Sequence, residues 1–149
     1  MTIVNLTGDE MIVLLLAIAA SYLLALPVGW ERKAKSEAQV GLRVFPLVSV
    51  SSCAYVFLGQ RLFAGTSSAQ QSDILQGLMT GIGFIGAGAI VKEREVAHGV
   101  ATAAAIWATG GIGASVAHGY YGIAATVCVL SLFTLRILPR LALRIRDRT

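Results

Sequence analysis

Residues 96–135 read VAHGVATAAAIWATGGIGASVAHGYYGIAATVCVLSLFTL, and His98, His118, Cys128 and the tyrosines are the only ionisable side chains in that run. A membrane-spanning helix needs about 17–25 predominantly apolar residues, so this segment holds two spans joined by a tight turn. His118-Gly119-Tyr120-Tyr121-Gly122 supplies the turn: glycine permits the reversal, and tyrosine suits the membrane–water interface. Three shorter runs lie upstream, Met11–Gly29, Val44–Gln60 and Ile74–Val91, none of which carries a charge. Each is long enough for one helix. The reading is an all-α membrane protein of about five transmembrane helices in a single domain, 1–149, with spans at about 11–30, 43–61, 73–91, 99–117 and 120–138 and a basic tail at 139–149. Composition agrees. Charged residues are 13% of the chain and hydrophobic residues 56%, whereas soluble domains carry roughly 25% charge. A soluble bundle needs a polar outer face on every helix, and here there is too little charge to build one.

The basic residues set the expected orientation. Arg32, Lys33, Lys35 and Arg43 lie between spans one and two, Lys92 and Arg94 between spans three and four, and Arg136, Arg140, Arg144, Arg146 and Arg148 after span five. Five spans place all of these on one side and leave only Arg61 on the other. The positive-inside rule puts that side in the cytoplasm and the N-terminus outside. In the tail, Arg140, Arg144 and Arg148 recur at helical spacing, which suits either a surface helix on the anionic leaflet or a basic stop-transfer segment. The first span lacks a preceding basic region and a small-residue cleavage site, so it is expected to remain as a helix. The net charge of +4 flanks apolar spans, which points to a lipid bilayer and not to nucleic acid. Cys53 and Cys128 fall inside spans and read as small packing residues.

Span three is dense in glycine: Gly77, Gly81, Gly83, Gly86 and Gly88. Gly77-x-x-x-Gly81 is a small-residue motif that lets helix backbones approach closely. Gly81-Ile-Gly-Phe-Ile-Gly86 also matches the dinucleotide fingerprint, but that fingerprint needs a strand before it and an acidic residue after it, and here it lies inside an apolar span. Two readings stand, tight helix packing or a locally unwound helix lining a polar cavity. Span four repeats small residues every four positions, Ala101, Ala105, Thr109, Gly113 and Ala117. Spans three and four are expected to pack on each other, or across a dimer, along these stripes. Thr102 and Thr109 are placed to bond backbone carbonyls, and Trp107 reads as a packing anchor.

Polar groups at span edges are functional candidates because placing them there is costly. Glu31, Arg32 and Arg43 suggest a salt-bridged cluster at the cytoplasmic boundary. Asp73 opens span three on the outer side, as a helix N-cap or a gate, and His98 stands at the inner mouth of span four. No metal-ligand spacing, nucleophile elbow or phosphate-binding loop occurs, so neither an enzyme nor a cofactor is expected. A Mg²⁺ path would need oxygen ligands at membrane depth, and no span interior contains Asp or Glu.

Glu31-Arg32 with Gly41-Leu42-Arg43, the run Gly81–Gly88, and His98-Gly-Val-Ala-Thr102-Ala-Ala with Ile106-Trp107 and Gly111-Ile-Gly113 together resemble the MgtC/SapB family of bacterial inner-membrane proteins. Their order and spacing cover roughly Met11 to Leu138. The resemblance implies a five-helix membrane domain in the bacterial inner membrane, roles in growth under Mg²⁺ limitation and in intracellular survival of pathogens, and restraint of the proton-translocating ATP synthase through contacts within the membrane. This chain departs from the family at Val44-Phe45-Pro46 after Gly-Leu-Arg and at Gly99-Val-Ala-Thr102. It also ends at Thr149 without the soluble C-terminal domain of longer members, so a short form is expected. Three functions follow: a regulator acting through helix contacts with itself (a dimer) or a membrane partner; a small oligomeric Mg²⁺, ion or solute transporter with its site on the glycine-rich third span and gates at Arg43 and Asp73; or a purely structural subunit.

Overall fold

The computed structural model describes residues 7–33, 40–64, 68–93 and 96–140. Five helices follow the five apolar runs: α1 Gly8–Lys33, α2 Val40–Leu62, α3 Ser68–Ala87, α4 Val100–Ala117 and α5 Tyr121–Arg136. Lipid offers no partner for backbone N–H and C=O groups, so an apolar run must satisfy them internally as a helix. Among the described residues four helices are long and apolar enough to cross a membrane, and α3 is not one of them. Its first two turns, through Gln76, carry Gln70, Gln71, Ser72, Asp73 and Gln76, and this polar start lowers its mean hydropathy.

Two details differ from the sequence reading. Span three was expected to reach residue 91, but the helix stops at Ala87, and Gly88 to Ile90 turn the chain through the bonds Ala89 N to Gly86 O and Ile90 N to Ala87 O. A short antiparallel ladder then joins β1 Val91–Glu93 to β2 Val96–His98. Apolar periodicity cannot reveal a three-residue strand; Gly99, with φ of 83°, then leads from β2 into α4. The expected turn after α4 is present: His118 caps the helix and Gly119 takes φ of 76°. The tail beyond Arg140, together with Lys35 and Arg94, lies outside the described residues.

The helices alternate in direction, and named contacts fix their ends. Arg61 at the end of α2 pairs with Glu10 at the start of α1. The Gln60 amide donates to the Ala117 carbonyl at 3.5 Å and lies 2.8 Å from His118 Nδ1. At the opposite end Arg32 of α1 reaches Thr102 of α4, and Gly86 of α3 lies against Ala103 of α4. One end of the bundle therefore carries Arg32, Arg43 and Lys92, and the other Glu10, Arg61, Asp73 and His118.

α4 is the central helix and touches all four others. Its small residues explain this position. Ala105, Thr109, Gly110 and Gly113 are buried with Ile106, Ile112 and Val116. At Gly113 the stripe meets α2, where an added Cβ would overlap the Ser49 carbonyl. α3 docks on α4 beside that stripe, with the Ile82 side chain over Gly110 and Gly86 under Ala103. Polar bonds stitch the same interfaces. Ser49 Oγ donates to the Ser21 carbonyl at 3.0 Å, joining α2 to α1, and Cys128 Sγ donates to the Leu24 carbonyl at 3.1 Å, joining α5 to α1. Thr109 bonds the carbonyls of Ala105 and Ile106, as its place in the span suggests. The large side chains that remain exposed, Leu16, Leu23, Trp30, Leu47 and Phe84 among them, lie on apolar spans, where lipid is their natural solvent.

Candidate functional site

α3 carries the densest glycine run, and it makes the candidate site with α2. The helix is unbroken through Gly81, Gly83 and Gly86 and ends only at Gly88. Of the two readings of this run, local unwinding is thereby set aside across the helix. Packing is realised by one glycine, Gly86, whose added Cβ would sit 3.2 Å from the Ala103 carbonyl. At Gly77, Gly81 and Gly83 a Cβ would meet nothing within 4 Å. Among the described residues nothing packs on the Gly77-x-x-x-Gly81 motif.

Those two glycines form part of the wall of a groove of about 720 Å³ between α2 and α3. Val48, Ser52 and Tyr55 of α2 face Ile74, Gly77 and Gly81 of α3 across it, and Asp73 stands at one end. Near the shared end of α2 and α3 the Ile74 side chain presses on Gly59. Asp73 is the sixth residue of α3 and is exposed, so it is not the helix N-cap. It is a carboxylate at the mouth of an apolar groove.

The remaining candidates are dispersed. Arg32 turns into the bundle and is only 8% exposed, and its Nη1 donates to Thr102 Oγ1 at 3.4 Å. Arg43 faces outward and Glu31 is half-buried. His98 is exposed on β2, opposite Val91. Trp107 is 48% exposed and does not anchor the core; its neighbour Ile106, at 2%, does. The sequence reading missed the Glu10–Arg61 pair and the Gln60–His118 contact. A signal for the first existed: Arg61 is the single basic residue on its side, and Glu10 opens the first span.

The fold and these surfaces define a small polytopic helical membrane protein with an apolar groove on its side and a basic end. The family model described as MgtC family matches residues 16–143. The chain belongs to the MgtC family. It is 30% identical over 126 residues to the Escherichia coli K12 protein named "Putative magnesium transporter YhiD", covering 81% of this chain and 58% of that one. It is 31% identical over 118 residues to the protein named MgtC of Salmonella typhimurium strain 14028s, covering 78% of this chain and 49% of that one. The chain thus spans about half the length of the curated relatives it matches. No solved structure matches it.

Proposed function

We propose that this protein is a regulatory component of the bacterial inner membrane that acts by helix-to-helix contact, with the α2–α3 groove as the contact surface and the basic end in the cytoplasm. The observation that carries this reading is the open glycine face of α3. Helices in lipid associate by van der Waals packing and interhelical hydrogen bonds, and small-residue motifs serve that purpose by admitting a backbone. On α4, Gly110 and Gly113 are filled by this chain's own helices; on α3 Gly77 and Gly81 are not. Asp73 at the groove mouth gives an incoming helix a polar anchor. The partner is either a second copy of this chain or a membrane subunit of the ATP synthase, as the family resemblance implies, in cells growing on scarce Mg²⁺.

The test is co-purification from native membranes with Gly77→Leu and Gly81→Leu variants. Both are expected to fold and to lose the partner; retention of the partner by two folded variants would sink the contact reading. The name of the Escherichia coli relative and the carboxylate at the groove mouth support a second reading, ion transport. Mg²⁺ flux into liposomes containing only this protein, abolished by Asp73→Ala, would replace regulation with transport.

A further inference from the structure

We propose that Arg32 and the first turn of α4 form a phosphate-binding site at the basic end of the bundle, taking the phosphate group of an anionic lipid headgroup or of a free phosphate. This inference is independent of the groove and of its partner.

Arg32 stands one residue from the end of α1, where a cation at a helix C-terminus is favoured. That placement would be satisfied by a side chain directed into water. Instead the residue is 8% exposed. A guanidinium stays charged under all ordinary conditions, and burying a charge is expensive unless it is paired and hydrogen-bonded. Among the described residues its Nη1 has a single neutral acceptor, Thr102 Oγ1, at the long distance of 3.4 Å. Its Nε is buried and has no hydrogen-bond partner among the described residues.

The place it points to is itself electropositive. Thr102 is the third residue of α4, which runs for 18 residues from Val100. The first N–H groups of a helix have no acceptor within it, and here no side chain caps them: the N-cap is Gly99, and the first turn has no acidic residue. A helix start of this kind carries a partial positive charge and binds anions through its N–H groups. Two positive features, a buried guanidinium and an uncapped helix N-terminus, thus face one spot with one hydroxyl between them. Repulsion disfavours that arrangement unless an anion stands there. Phosphate fits best, because its tetrahedral oxygens accept a forked bond from arginine and further bonds from backbone N–H groups. Gly99 lets the Ala89 backbone pass close to the start of α4, where a side chain would overlap the Ala89 carbonyl, and the approach from Arg32 is on the Thr102 side. The level of the site, where apolar spans give way to polar segments, is that of lipid phosphates.

The experiment uses the full chain, delipidated in detergent, and compares two probes by native mass spectrometry and calorimetric titration: inorganic phosphate and phosphatidylglycerol, with phosphatidylcholine as the zwitterionic reference. Saturable binding of at least one probe is expected. Arg32→Gln should weaken it about tenfold or more, since a charge-assisted bond is lost. Arg32→Lys keeps the charge but not the fork and should fall between. Arg43→Gln, an exposed arginine at the same end, should leave binding unchanged. Thr102→Val is the control if Arg32→Gln does not fold, and should also weaken binding, by severalfold. Binding of phosphate itself identifies a soluble ligand; retention of phosphatidylglycerol without phosphate binding identifies a headgroup. Binding that ignores Arg32→Lys and Thr102→Val, or that falls equally with Arg43→Gln, overturns the site.

Discussion

α3 and α4 are both glycine-rich helices, and both carry small residues at four-residue spacing, yet they occupy opposite environments. In α4, Gly110 and Gly113 are filled by Ile82 and by the Ser49 backbone, and the helix packs against all four others while Ala104, Trp107 and Gly111 stay on an exposed face. In α3, Gly77, Gly81 and Gly83 open onto space, and only Gly86 is covered. The motif is the same in both helices; what differs is whether the chain supplies the second surface. Small residues state that a close approach is sterically allowed. They do not state by what.

The largest effect should come from closing the approach that α4 uses. Gly113→Leu places a branched side chain against the Ser49 backbone, and overpacking of this kind destabilises by about 1–3 kcal/mol or more. Denaturant unfolding in mixed micelles, followed by tryptophan fluorescence, measures it, and a wild-type midpoint would show that the α2–α4 contact is looser than described. Next is the complementary substitution on α3. Gly81→Leu should leave that midpoint within about 0.5 kcal/mol of wild type, as for a substitution away from packed features, while it removes partner binding. If Gly81→Leu unfolds the protein as readily as Gly113→Leu, the contrast between the two helices collapses. A smaller effect is expected at Ser49→Ala, which removes the bond to the Ser21 carbonyl beside the Gly113 contact. Interhelical hydrogen bonds in membranes average about 0.6 kcal/mol, so a loss well above that would mean that Ser49 holds α1, α2 and α4 together cooperatively. The smallest concerns the far end of the bundle. Glu10→Gln with Arg61→Gln deletes an ion pair whose members are about one-third exposed, at 35% and 36%. Exposed pairs contribute little, and the unfolding midpoint should not move, at low or at high salt. A shift that disappears with added salt would reveal that the pair clamps α1 to α2.

Much of the architecture was legible before any coordinates. The five apolar runs, the turn at His118–Gly119 and the sorting of Arg32, Arg43 and Lys92 to one end all follow from where charges are absent and present. The candidate site was legible only as a list. Asp73 looked like a helix start, because the apolar run begins just after it, but α3 extends back to Ser68 through polar residues that a hydropathy reading assigns to the loop. Trp107 looked like an anchor because it is large, but in a membrane helix size is no guide to burial when both lipid and core are apolar. Arg32 looked like one of several interfacial charges, and no local feature of Trp30-Glu31-Arg32-Lys33 distinguishes the one that turns inward.

The sequence by itself determined how many helices form, where they begin and end to within a few residues, and that they belong in a bilayer. The reason is that lipid cannot satisfy the backbone, so a charge-free run of sufficient length has one outcome wherever it occurs in the chain. The tertiary structure alone decided which faces meet. α4 is small and apolar on every side, and its sequence does not favour one face over another. Its rotation is set by the fit of Gly113 to Ser49 and of Gly110 to Ile82, and once it is set, Gly77 and Gly81 are left facing outward and Arg32 is left beside Thr102 in the first turn of α4.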